Sequence, residues 1–366
     1  MNPRILLAVS TLSAGGAERV ISELANAWAE KGWQAGVLTL SAQCSDHYGL
    51  PPSVTRIALD LMWDSRSIWQ SIAGNLRRSG ALRKAVRGFD PDAVLSFVEQ
   101  TNVRLLAAML GSGVPVIVSE RTDPRQHEVG RAWRLVRLLL YPFARRVVVQ
   151  TVSVAGWAQG FLPARKVRVI PNFVRALPEV PGWTQRHEDE ILAVGRLGRE
   201  KGFDVLLRAF AAGGLMAQGV RLTILGEGPE RAALEGLARE LGVAGAVSLP
   251  GVVKDPERWM ARATVFVMSS RYEGFPNALI EAMAMGCPVI AADCDSGPRE
   301  IIRNEEDGLL VPPEDAEALS GALVRLMGDA ALRERLGKGA LSVRERFSKE
   351  HIMNQWESLI DEVLAR

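Results

Sequence analysis

The chain has 366 residues, 48% apolar and 23% charged, the balance of a globular protein of about two domains rather than of a disordered or fibrous one. No stretch approaches the roughly 20 uncharged apolar residues of a membrane-spanning helix, and Cys44, Cys287 and Cys294 stand at no metal-ligand spacing, as expected of a reduced, cytoplasmic setting. The net charge of +2 conceals an asymmetry: 22 Lys+Arg against 12 Asp+Glu up to Arg175, a net of +10, and 22 against 30 thereafter, a net of −8.

The first apolar run, Ile5–Val9, is too short for a signal-peptide core and predicts a buried strand. A Gly15-Gly16 loop and an amphipathic stretch over 17–31 follow. Ala35–Leu40, Ala93–Phe97, Val114–Val118, Arg146–Gln150 and a short run near Val167–Pro171 predict further strands, several separated by helical segments. Such alternation implies a parallel sheet covered on both faces. A polar, Pro-containing stretch from Arg175 to Glu190 then predicts a linker.

The pattern restarts with strands at Glu190–Val194, Arg221–Leu225, Ala246–Leu249, Val265–Met268, Pro288–Ala292 and Leu309–Val311, and helices at Phe203–Ala212 and Glu230–Leu241. The expected fold is α/β, with two doubly wound units at 1–175 and 186–348 facing a central cleft at the strands' carboxyl ends. A last helix, about Lys349–Leu364, is apolar at Ile352, Met353, Trp356, Leu359, Ile360 and Val363, and is expected to cross back onto the first unit.

The segment richest in chemistry runs from Ser270 through Glu273, Gly274, Phe275, Pro276, Asn277, Ala278, Leu279 and Glu281 to Ile290. A strand there leads into a polar loop, and Asn277 is placed to cap the helix after it. Unsatisfied amides in the first helical turn, with the helix dipole, favour an anion such as phosphate. Glu273 in the loop and Glu281 one turn into the helix can flank a ligand, and carboxylates suit sugar hydroxyls. Arg196 and Lys201 sit in a Gly-flanked loop between strand and helix, where fixed cations would stabilise a departing diphosphate without a metal ion.

These segments resemble the retaining glycosyltransferases of family 4, together with Gly15-Gly16-Ala17-Glu18-Arg19, Val169-Ile170-Pro171-Asn172, Gly195-Arg196-Leu197 and Leu225-Gly226-Glu227-Gly228-Pro229. The resemblance implies the GT-B architecture of two Rossmann-like domains, the first for the acceptor and the second for a nucleotide-sugar donor. It implies that Arg196 and Lys201 hold the diphosphate, Glu281 the ribose, and Glu273 the transferred sugar near the reacting centre. Backbone from Phe275 to Leu279 would hold phosphate and sugar, with Gly16 also on the donor, and the turn at Val252 would lie against the base. No cofactor and no metal are implied, since the nucleotide sugar is a substrate.

Gly15, Glu18, Arg19, Glu120 and Arg121 are the acceptor-side candidates. Many relatives carry a histidine where Ser119-Glu-Arg-Thr-Asp-Pro stands, which resembles a branch of bacterial enzymes building polysaccharide and lipid-linked oligosaccharide; His127 is nearby in sequence. Between Arg125 and Arg146, arginines interleave with Trp133, Leu135, Leu138, Leu139 and Phe143, as on a helix lying on an anionic membrane or on a core helix with a basic rim.

The expected reaction is transfer of a hexose or N-acetylhexosamine from a UDP-sugar to a glycan acceptor, a polyprenyl-diphosphate-linked saccharide, at the cytoplasmic face of the inner membrane. No nucleic-acid partner is expected, as no aromatic stacking platform is seen. The rival readings are a sugar-nucleotide epimerase on the same architecture and a non-catalytic nucleotide-sugar-binding subunit.

Overall fold

The structure, a computed structural model, describes residues 2–13, 15–61, 68–126, 130–175 and 189–365. His127 and most of the expected linker, residues 176–188, lie outside the described residues. The chain divides into two compact units, Met1–Pro171 with Met353–Arg366, and Asn172–Ile352. Among the described residues no helix is long and apolar enough to cross a membrane.

The first unit carries seven strands: β1 (Arg4–Val9), β2 (Gln34–Thr39), β3 (Thr55–Ala58), β4 (Ala93–Phe97), β5 (Val116–Ser119), β6 (Arg146–Val149) and β7 (Val167–Val169). All pair in parallel, in the order β3-β2-β1-β4-β5-β6-β7. Parallel strands covered on both faces read as unbroken apolar runs, as Ile5–Val9 and Ala93–Phe97 do. Strand β3, with Thr55 and Arg56 and an exposed or half-buried pattern, has no such run and was not expected from sequence.

The second unit carries β8 (Glu190–Val194), β9 (Arg221–Leu225), β10 (Val247–Gly251), β11 (Val265–Met268), β12 (Val289–Ala292) and β13 (Leu309–Val311), parallel in the order β10-β9-β8-β11-β12-β13. Its side chains alternate between two cores. Ile191, Ala193, Val265, Val267 and Ile290 join the helices Phe203–Ala212 and Ala316–Gly328 on one face. Leu192, Phe266, Met268, Val289 and Ala291 join the helix Asn277–Ala284 on the other.

Residues 172–175 pack with the second unit: Val174 N–H donates to Phe347 O at 2.8 Å, and Arg175 pairs with Glu257 at 2.7 Å. The last helix, Lys349–Leu364, belongs to the first unit from Met353 onward. All six apolar positions of its stripe are buried, with the Trp356 ring 5.9 Å from that of Phe97. Glu362 bonds both Arg146 and Arg168, and Lys31 bonds Glu357.

Candidate functional site

In the second unit the strand order reverses between β8 and β11. Open α/β sheets take ligands just beyond the carboxyl ends of the strands at such a switch point. The loops leaving these two strands carry Arg196 and Lys201 on one and Glu273 on the other. The structure brings two of the three into contact: Lys201 Nζ donates to Glu273 Oε1 at 2.7 Å, and Ser270 Oγ donates to the same oxygen at 2.7 Å. Burial opposes the Lys201 ammonium, but Glu273 beside it, with Glu200 further off, outweighs that and raises its pKa above the ordinary lysine range. Lys201 is therefore a fixed cation at neutral pH. Arg196 is exposed and makes no ion pair among the described residues, which leaves it open to an anion.

The two loops are stitched together by residues that sequence reasoning did not single out. Ser269 Oγ donates to Lys201 O at 2.9 Å, and Arg271 N–H donates to Glu200 O at 2.8 Å. Arg271 also grips Asp204 with two bonds of 2.8 Å and reaches Arg199 O at 2.7 Å. These bonds raise the Arg271 pKa and lower that of Asp204. Gly202, at φ +61°, permits this approach: a Cβ there would lie 2.1 Å from Ser269 O. Ser296 Oγ bonds the carbonyls of Glu273 and Gly274 at 2.9 and 3.0 Å, fixing the second loop from below. Burial, with Glu273 nearby, pushes the neighbouring Cys294 thiol up to about 12, so it stays protonated.

The helix Asn277–Ala284 begins directly after this loop, but Asn277 is not its cap. Pro276 occupies the cap position, no side chain caps the helix, and Asn277 Oδ1 accepts instead from Asn172 Nδ2 at 2.7 Å. Proline has no side-chain acceptor to offer, so the amides of Asn277 and Ala278 find no acceptor among the described residues. That is the uncapped helix start an anion needs. Glu281, one turn further, is 5% exposed and faces Arg175 at 3.5 Å; it is no solvated surface residue.

The turn Gly226–Gly228 after β9 packs against the first loop. Gly226, at φ +141°, lies so close to the first loop that a Cβ would meet Gly195 O at 1.9 Å. Leu197 N–H donates to Glu227 O, and Glu230 N–H to Leu197 O, both at 3.0 Å. The glycine pair thus seats the backbone that carries Arg196. Val252, beyond β10, is 80% exposed.

In the first unit the order reverses between β1 and β4. Gly15 and Gly16 open the helix Gly16–Glu30 after β1, and Tyr48 Oη donates to Gly15 O at 3.1 Å. Glu18 is held by Thr11 Oγ1 at 3.1 Å, and Arg19 pairs with Glu23 at 3.9 Å. Arg121, after β5, comes near both: burial pushes its pKa down to about 9, Arg19 pushes the same way and Glu18 offsets it. Its guanidinium lies 4.9 Å from the centre of the Phe97 ring.

Glu120 is turned inward. It is 2% exposed, accepts from Tyr141 Oη, and faces Arg137, which pairs with Glu99 at 3.2 Å. Burial pushes the Glu120 carboxyl up to about 7, with Arg137 and Tyr141 pulling the other way. This network anchors the loop from which Arg121 emerges; its members come from that loop, two helices and a turn, and no sequence spacing reveals it. Val98, just after β4 and at the cap of the next helix, has φ +70°, a strained conformation for a β-branched residue, held by donation of its N–H to Ser119 O at 3.2 Å. Among the described residues no three His, Cys, Asp or Glu side chains gather as metal ligands do.

Comparison with known proteins matches residues 14–176 to the model of Glycosyltransferase Family 4 and residues 188–329 to that of Glycosyl transferases group 1. An undecaprenyl-diphosphate-oligosaccharide α-1,4-N-acetyl-D-galactosaminyltransferase of Campylobacter jejuni is 28% identical over 98% of this chain and 99% of its own. An exopolysaccharide phosphotransferase of Streptomyces coelicolor is 34% identical over 78% of this chain, which spans only 30% of that longer protein. Among solved structures, Anabaena HepE in complex with UDP superposes with a TM-score of 0.80 at 18% identity, covering 98% of this chain and 100% of that one. The chain belongs to glycosyltransferase family 4 and is a glycosyltransferase of the GT-B fold, built from two Rossmann-like domains.

Proposed function

We propose that the protein transfers a hexose or N-acetylhexosamine, with retention of configuration, from a UDP-sugar to a polyprenyl-diphosphate-linked saccharide in the assembly of cell-surface polysaccharide or glycoconjugate. One observation carries the donor half of this reading. At the switch point of the second sheet, a protonated lysine bonds Glu273, the loop bearing that lysine also carries an exposed arginine, and the loop bearing Glu273 leads into an uncapped helix start. That is a site for a diphosphate with a carboxylate set beside the sugar it carries.

In this reading Arg196 and Lys201 neutralise the diphosphate without a metal ion, and the amides from Phe275 to Leu279 hold phosphate and sugar. Glu281 binds the ribose, displacing its pairing with Arg175, and Val252 lies against the base. The bond between the anomeric carbon and the diphosphate oxygen breaks as the acceptor oxygen bonds that carbon from the same face. The acceptor's proton passes to an oxygen of the departing diphosphate. Glu273, bonded to Lys201 and Ser270, keeps the cation in place and orients the sugar.

Two relatives support the substrate classes: the Campylobacter enzyme is named for an undecaprenol-linked acceptor, and the Anabaena structure holds UDP. In this reading the enzyme works at the cytoplasmic face of the inner membrane, in peripheral contact with anionic lipid. The basic first half, net +10, suits that side. Thermal unfolding with UDP, GDP and ADP and their sugars tests the donor assignment. UDP and UDP-sugars should raise the midpoint, and Arg196→Ala with Lys201→Ala should abolish the rise. No rise with any nucleotide, or a rise untouched by the double substitution, would overturn it.

A further inference from the structure

The helix Arg131–Leu140 is built inside out. A surface helix ordinarily buries its aliphatic stripe and exposes its charges. Here Trp133, Arg137 and Leu140 face the core, with Arg137 1% exposed and its guanidinium 4.7 Å from the centre of the Trp157 ring. The aliphatic side chains face out: Leu135 and Leu139 are 59% and 61% exposed, and Val136 and Leu138 37% each. Phe143, in the short turn that follows, is 65% exposed. A run of nine residues thus presents five large apolar side chains to water, a patch that on a soluble protein marks an interaction surface.

Cations border this patch. Arg134 is exposed on the helix and makes no ion pair among the described residues. Beyond the other end, Phe143 and Leu110 line one concavity with Arg145, Arg165 and Lys166. The Arg145 side chain makes no hydrogen bond or ion pair among the described residues, and its Nε is buried without an acceptor. Lys166 is held by the carbonyls of Pro142 and Ala144; burial, then Arg165, Arg146 and Arg145, depress its pKa. Glu362 pairs with Arg146 and Arg168; the concavity's two carboxylates, Asp90 and Asp92, are outnumbered by Arg4, Arg145, Arg146, Arg165 and Lys166, and Asp92 accepts from the Arg4 amide. Positive charge therefore remains in excess beside exposed aromatic and aliphatic groups.

We propose that this face of the first unit, Leu135, Leu138, Leu139 and Phe143 flanked by Arg134, Arg145, Arg165 and Lys166, docks onto an anionic lipid bilayer. Apolar side chains entering the interface and cations meeting lipid phosphates are the two signals reversible membrane binding needs, and neither suffices alone. The excess positive charge sets a bilayer above a second copy of the chain as the occupant, since two such faces would repel. The helix runs between the carboxyl end of β5, where Arg121 emerges, and the amino end of β6. The docked face therefore runs down the side of the sheet to the amino ends of its strands, where Phe143, Arg145, Arg165 and Lys166 lie. The choice of a bilayer rests on the lipid-linked acceptor proposed above.

The test is sedimentation of the full chain with vesicles of phosphatidylcholine alone and of phosphatidylcholine with phosphatidylglycerol in roughly equal amounts. Binding is expected to the second and not the first, and to weaken with salt. Leu139→Ser with Phe143→Ser, and separately Arg134→Glu with Arg165→Glu, should each lower it about tenfold. These exposed positions should leave the thermal midpoint and transfer to a water-soluble acceptor unchanged. Equal binding to both vesicles, no effect of either pair, or a dimer that Leu139→Ser with Phe143→Ser dissociates would overturn the proposal. Vesicle binding as expected without transfer to any lipid-linked acceptor would support the docking face while sinking the acceptor assignment.

Discussion

Lys201→Met is the substitution whose consequence follows most directly from the geometry. In the unliganded protein Nζ sits 2.7 Å from Glu273 Oε1, and the two side chains are 24% and 11% exposed, so the pair lies in a partly dry pocket. A diphosphate oxygen at hydrogen-bond distance from Nζ would feel roughly 5–6 kcal/mol of attraction at an effective dielectric of about 20. Only the charge gained on departure of the leaving group counts toward the rate, so about 3–4 kcal/mol is the transition-state share, a loss of roughly 10²–10³ in kcat. Methionine keeps the stem's volume, so the loop should hold its shape. The assay is steady-state transfer, paired with calorimetric titration of UDP and of uridine. UDP affinity should fall while uridine binding is unchanged, because uridine lacks the diphosphate. A kcat/KM within threefold of wild type, or equal losses for UDP and uridine, would refute the assignment of Lys201 to the diphosphate.

Three further predictions concern the scaffold around the site. Arg271→Met removes the two hydrogen bonds to Asp204, the pairing with Glu314 and the bond to Arg199 O, and should cost about 2 kcal/mol in the second unit together with at least a tenfold fall in kcat/KM, read by denaturant unfolding and transfer assay. Gly226→Ala combines a forbidden φ with a 1.9 Å clash against Gly195 O, and should cost more than about 3 kcal/mol and weaken UDP binding by shifting the Arg196 loop; an unchanged thermal midpoint would contradict it. Glu120 has its folded pKa raised to about 7, so its contribution to stability is present at acid pH and is lost as pH rises through 7. Relative to Glu120→Gln, the wild type should lose on the order of 3 kcal/mol between about pH 4.5 and 7, measured by unfolding at the two ends of that range.

Much of the fold was legible because parallel strands buried on both faces leave apolar runs, and β8, β9, β11 and β13 fall where those runs predict them. Strand β3 escaped because an edge strand with Thr55 and Arg56 carries no such run. At the site, Arg196, Lys201, Glu273 and Glu281 were visible as charges in loops and a helix start that a nucleotide-binding sheet uses. What was not visible is what holds them. Arg271, Ser269 and Ser296 look like ordinary loop residues, and only folding brings them to the carbonyls they bond. Asn277 misled for a related reason: its type suits a cap, but Pro276 takes that place and Asn172 takes its side chain. The basic stretch around Arg131–Arg146 was ambiguous because sequence gives helical period but not which face is inward; with Arg137 buried and Leu139 exposed, the structure resolves the face.

Mass spectrometry of a synthetic polyprenyl-diphosphate-linked saccharide incubated with the protein, a UDP-sugar and a metal chelator reads the transfer itself. The acceptor should gain one hexose or N-acetylhexosamine, joined with retained anomeric configuration, as an equal amount of UDP is released, and Glu273→Gln should prevent both. Conversion of the UDP-sugar to an isomer without any gain in acceptor mass, or transfer that stops when the chelator is added, would contradict the proposed reaction.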